Sequence, residues 1–122
     1  MGIQISIRES GDVTIVHLKG KVTIGVDSDR LSLQLKELVA NGVRKLLVNL
    51  ADVKQLDSLG ISAVVGTYVS LGRQGGSLKL VCPCGRVQDV LRVIRVADII
   101  PTFEDETQAL ASFRAQGSAA RP

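Results

Sequence analysis

The chain has 122 residues, a length that fits one domain and is short for two. Fifteen basic residues against twelve acidic ones give a net charge of +3, and with three aromatic residues and no tryptophan the chain lacks the basic, aromatic-laced stripe of a base-stacking nucleic-acid binder. The hydrophobic 45% is spread along the chain, no apolar run nears the roughly 20 residues of a membrane span, and Met1-Gly2-Ile3-Gln4-Ile5-Ser6 is unlike a signal peptide, so a cytoplasmic location without membrane insertion is expected.

Ile3 to Arg8 alternates apolar and polar residues, the pattern of a half-buried strand. Ser10-Gly11-Asp12 is a turn signal, and the β-branched stretch Val13 to Lys19 reads as the second arm of an antiparallel hairpin. Val16 and Leu18 share one face of that arm. His17 falls on the other, read as a solvated residue with no acid or metal ligand spaced to join it. Gly20 to Gly25 is a connector. A first helix follows, capped at Asp27 or Ser28, with Leu31, Leu35, Leu38 and Val39 at helical spacing and Asn41-Gly42 as its exit.

Arg44 to Leu50 holds the densest apolar run and reads as a central strand covered on both faces. Ala51 to Leu56 reads as a loop. A second helix begins near Asp57-Ser58 and runs to about Leu71, with Ile61, Val64, Val65 and Tyr68 inward and Gly72, Gly75 and Gly76 closing it. Leu78 to Cys82 is a strand, Pro83-Cys84-Gly85 a turn, and Arg86 to Arg95 a third helix. Ile99-Ile100 before Pro101 suits a short edge strand. Asp105 to Phe113 forms a last helix, and 115–122 a disordered tail. Strand–helix units after a hairpin imply a largely parallel sheet with right-handed crossovers.

Catalytic groups are scarce. There is one histidine, no Gly-x-x-x-x-Gly-Lys phosphate loop, no Gly-x-Gly-x-x-Gly fingerprint and no Gly-x-Ser-x-Gly elbow. Cys82 and Cys84 stand as C-x-C and would need His17 and a carboxylate to complete a zinc site, so no metal or cofactor is expected. An enzyme is not expected either. Leu56-Asp57-Ser58-Leu59-Gly60-Ile61-Ser62-Ala63-Val64-Val65-Gly66 is the informative segment. It lies at the carboxyl end of the most buried strand, where function gathers in open α/β sheets. Read plainly, Asp57 or Ser58 is a helix cap and Gly60 and Gly66 allow close packing. Read functionally, Ser58 is a phosphoacceptor at the positive end of a helix dipole. The two readings are compatible.

Leu56-Asp57-Ser58-Leu59-Gly60-Ile61 resembles the Asp-Ser-x-Gly phosphorylation motif of the STAS domain in its stand-alone form, the anti-sigma factor antagonist. Supporting matches are Leu18-Lys19-Gly20, Val48-Asn49-Leu50, Gly75-Gly76-Ser77-Leu78-Lys79-Leu80-Val81 and Val87 to Leu91. Leu59 departs from the small or hydroxyl residue common after the motif serine, and Thr23 stands where many members carry aspartate. The resemblance implies an α/β, STAS-like single domain over residues 1–114. Its mixed sheet of four to five strands is an antiparallel hairpin followed by parallel βα units, with helices mainly on one face. It also implies an anti-sigma factor antagonist of bacterial type that binds an anti-sigma serine-protein kinase and releases a sigma factor. Ser58 is then the phosphorylation site, with a phosphatase to reset it and a weak homodimer as a further association. Thr23, Ile24, Gly25, Asp57, Leu59, Gly60, Ile61, Ser62 and Val65 would form the partner surface. The alternative is a constitutive STAS adaptor of a transporter or signalling assembly, not controlled by phosphate.

Overall fold

The computed structural model describes residues 4–22, 26–56, 58–81 and 99–119. Five strands, β1 (Gln4–Ser10), β2 (Val13–Val22), β3 (Lys45–Leu56), β4 (Ser77–Val81) and β5 (Thr102–Phe103), form one sheet in sequential order. β1 and β2 pair antiparallel through a turn at Gly11, whose φ of +62° only glycine adopts cheaply. The later pairs are all parallel. Three helices, α1 (Val26–Ala40), α2 (Ser58–Arg73) and α3 (Glu106–Ala119), complete the described residues.

Strand alternation divides the core in two. Val16, Leu18, Leu46, Val48, Leu50, Leu78 and Leu80 face α1 and α2, meeting Leu31, Leu35, Ile61, Val64 and Leu71. Val13, Ile15, Leu47 and Val81 face the other way and are covered by Ala109 and Phe113 of α3. The central run of β3 is thus buried on both faces, and two of the three described helices share one face. At the edge, β1 is more open than an evenly half-buried strand, with Ile7 42% exposed.

α1 and α2 both end on the same backbone device. Gly42 (φ +98°) and Gly75 (φ +80°) turn the chain so that Val43 N–H reaches the Leu38 carbonyl and Gly76 N–H reaches that of Leu71. α1 begins at Val26, so Asp27 and Ser28 fall inside its first turn, past the N-cap position.

β3 is longer than its apolar run indicates. Residues Ala51 to Leu56, expected as a loop, continue the strand to Leu56. Two register irregularities in the β2–β3 ladder explain the difference. An extra residue in β3 breaks strict alternation, so Val53 joins the same core face as Leu50 from three residues on. The Asn49 side chain accepts a 2.8 Å hydrogen bond from the Ala51 N–H at this irregularity.

The same continuation corrects the reading of His17. Its Nε2 lies 2.7 Å from Asp52 Oδ2, an acid that a loop at Ala51 would not have placed beside β2. The edge strand also moves: it is Thr102–Phe103, after Pro101, while Ile100 is buried and Ile99 exposed. Pro101 has no N–H to donate, but its carbonyl accepts from Leu80 N–H at 2.9 Å and guides the following residues into the sheet. α3 is capped by Asp105, whose Oδ1 accepts from Gln108 N–H at 2.8 Å. It passes the expected end at Phe113 and takes in 115–119, where Ala115, Gln116 and Ala119 favour helix. The helix expected over 86–95 and the Pro83-Cys84-Gly85 turn lie outside the described residues.

Candidate functional site at the start of α2

β3 ends at Leu56 and α2 opens at Ser58, so the motif serine is the first helical residue at the carboxyl edge of the sheet. No acidic residue stands in the first turn of α2. The helix N-terminus therefore presents its partial positive charge without an acid of that turn to offset it.

The following turns separate residues that hold the helix from residues that meet solvent. Ile61 is 8% exposed and packs into the larger core, Gly60 is buried, and Val65 is half-buried against the same core. Leu59, 49% exposed, and Ser62 face solvent. Of the residues expected at a partner surface, Leu59 and Ser62 are thus displayed beside Ser58, and Ile61 anchors them from beneath. Thr23, Ile24, Gly25 and Asp57 lie outside the described residues.

Sequence reasoning missed a cleft that begins here. α1 and α2 enclose about 630 Å³, with Leu59 and Ser62 at one end and Arg44 and Gln74 at the other. Its only sequence signal is the run of small residues Ser62, Ala63, Gly66, Thr67 and Ser70 at helical spacing. The Thr67 hydroxyl is spent internally, donating to the Ala63 carbonyl at 2.8 Å.

The opposite face of the sheet carries a separate polar cluster. Glu106 Oε2 accepts from Arg8 at 2.7 Å and from Asn49 at 2.6 Å. Burial pushes the Glu106 carboxyl up, but the hydrogen bonds from Arg8 and Asn49 and the nearby Arg8 and His17 charges outweigh it and hold it below its ordinary value. His17, the chain's one histidine, belongs to this face and not to that of α2. Lys79, 5% exposed, donates to Ser112 Oγ at 2.5 Å and lies 4.6 Å from the Phe113 ring centre; burial lowers its ammonium pKa. Among the described residues no group of three or more metal-ligating side chains exists, and no helix is long and apolar enough to cross a membrane.

The STAS domain family model matches residues 4–109. The chain is 31% identical over 74 residues to an anti-sigma factor antagonist homologue of Thermotoga neapolitana; the match covers 61% of this chain and 66% of that protein, just under two thirds of its length. It is 29% identical over 100 residues to the anti-sigma-B factor antagonist of Bacillus subtilis, covering 82% of this chain and 90% of that one. The crystal structure of an anti-sigma factor antagonist from Mycobacterium paratuberculosis shares the fold with a TM-score of 0.85 at 20% identity, over 92% of this chain and 94% of that one. With the hairpin-then-parallel sheet, the serine opening α2 and a family match along nearly the whole described chain, this protein belongs to the STAS domain family.

Proposed function

We propose that the chain is an anti-sigma factor antagonist that binds an anti-sigma serine kinase through the start of α2, and that phosphorylation of Ser58 ends the complex. The observation that carries this reading is Ser58 opening α2 with Leu59 and Ser62 exposed beside it. An exposed leucine on a packed helix offers apolar area to a partner at no cost to the core. A phosphate on Ser58 adds about −1.5 to −2 charges. The helix N-terminus tolerates that charge, favouring it by about 0.3–1 kcal/mol. A partner that covers Leu59 must instead desolvate a dianion, which weakens the complex without unfolding the domain. The family relatives named as anti-sigma factor antagonists support the role, and His17, held on the other sheet face, supports binding over serine-based catalysis.

The test mixes the purified chain with its cognate anti-sigma kinase and ATP. Mass spectrometry should place phosphate on Ser58. Unmodified protein and Ser58→Ala should bind the kinase, while phosphorylated protein and Ser58→Asp should not. Equal binding by Ser58→Asp and unmodified protein would overturn phosphate control. A cell-extract pull-down with both forms identifies the partner and any phosphatase.

A further inference from the structure

The cleft between α1 and α2 has the dimensions and charge of a ligand site. Its volume of about 630 Å³ lies within the ~300–1,000 Å³ usual for small-molecule pockets. α1 and α2 each connect parallel strands, so they run side by side in the same direction. At 1.5 Å per residue, the wall from Leu59 to Ser70 is about 16 Å long. The cleft follows both helices along that length, so it suits an elongated occupant.

The lining sets the chemistry of that occupant. Val39, Leu59 and Ala63 give apolar wall, and Gly66 lowers the floor. A Cβ placed on Gly66 would meet nothing within 4 Å, so the space over it is open. Lys36 and Arg44 are the charged lining residues, and among the described residues no carboxylate lines the cleft. Neither cation forms an ion pair among the described residues. Arg44 spends one guanidinium nitrogen on the Val43 and Val39 carbonyls, at 2.9 and 3.3 Å, which fixes the side chain at the end of α1 and leaves its remaining N–H groups.

We propose that this cleft binds a free amphipathic organic anion: an unbranched apolar chain lying over Gly66 toward Leu59, with its anionic head group held by Lys36 and Arg44. Charge complementarity selects the anion, and the length of the cleft along the two helices suits an extended chain. The cleft shares Leu59 and Ser62 with the proposed partner face. Binding is read without any partner, so either reading can fail alone.

The test is titration of the full-length, isotope-labelled chain with decanoate below its micelle concentration, followed by amide NMR. Saturable shifts are expected at Ser32, Lys36, Ala63, Gly66 and Ser70. Lys36→Gln, an exposed change, should weaken binding about fivefold, the worth of one partly exposed charge pair. The neutral isostere 1-decanol should bind more weakly than decanoate by a larger factor. Gly66→Phe should abolish binding while the rest of the spectrum stays folded. Shifts scattered over the surface, decanol binding as tightly as decanoate, or unchanged binding by both Gly66→Phe and Lys36→Gln would overturn the proposal. So would movement of the same amides on simple dilution of unliganded protein, which would assign the cleft to a second copy.

Discussion

Glu106 ties three elements together through one oxygen: it opens α3 and accepts from Arg8 of β1 and Asn49 of β3. In the sequence it is one of three adjacent acids, Glu104-Asp105-Glu106, and nothing in composition says which of them turns inward. The cap decides it. Asp105 takes the N-cap, which sets the phase of α3 and brings Glu106 over the sheet. Its carboxyl is held below the ordinary value of 4.5. The stabilisation is therefore complete above that value and is lost as pH falls through the lower folded-state value. Glu106→Gln should cost about 1 kcal/mol at neutral pH. The difference from the parent should shrink below pH 4.5 and vanish at lower pH, in urea unfolding across the acid range. A constant difference at every pH would show that the charge contributes nothing. Gly76 is a second residue whose role only three dimensions reveal. A Cβ there would drive into the Arg44 carbonyl oxygen, which already accepts from Ser77 N–H at 2.8 Å. Gly76→Ala should destabilise by about 1–3 kcal/mol, an overpacking cost, read as a lower denaturation midpoint with unchanged slope.

Elements were legible in the sequence where one period governed them. α2 and the first part of β3 declared themselves because their apolar residues repeat cleanly and face one or two continuous cores. The second half of β3 did not, because its irregularities shift Val53 out of alternation with Leu50. The His17–Asp52 pair was hidden for the same reason: it exists only once the strand is known to continue. At the candidate site, the motif named Ser58 and its neighbours, but sorting Leu59 and Ser62 from Ile61 required the helix phase against the sheet. The α1–α2 cleft was illegible because it belongs to two helices separated in sequence by β3. Gly66 tests the element itself. It sits inside α2, exposed, with open space where its Cβ would be. Gly66→Ala should therefore raise stability by up to about 1 kcal/mol, measured by thermal or urea unfolding, because glycine costs helix interiors that much in chain entropy. A loss of stability would mean that the position is closed.

At the scale of the molecule, the sheet separates two layers with different tasks. α1 and α2 cover one face with the larger core, and the start of α2, which Ser58 opens, displays Leu59 at its edge. α3 covers the other face with a smaller apolar set, centred on Phe113 and Ala109, and with the polar ties of Glu106 and Lys79. Damage to the second layer should cost stability and leave the proposed partner surface in place. Phe113→Ala should destabilise by about 3–5 kcal/mol, and hydrogen exchange should accelerate first in α3. Under conditions where that variant is still folded, its kinase binding should match the parent. Leu59→Glu should do the reverse. Its side chain is half exposed, so stability should change by no more than about 0.5 kcal/mol, while kinase binding should fall at least about tenfold. Paired unfolding and binding measurements on the two variants separate the layers. If folded Phe113→Ala loses binding and Leu59→Glu keeps it, the partner surface belongs to the α3 face, and the start of α2 is only a capped helix.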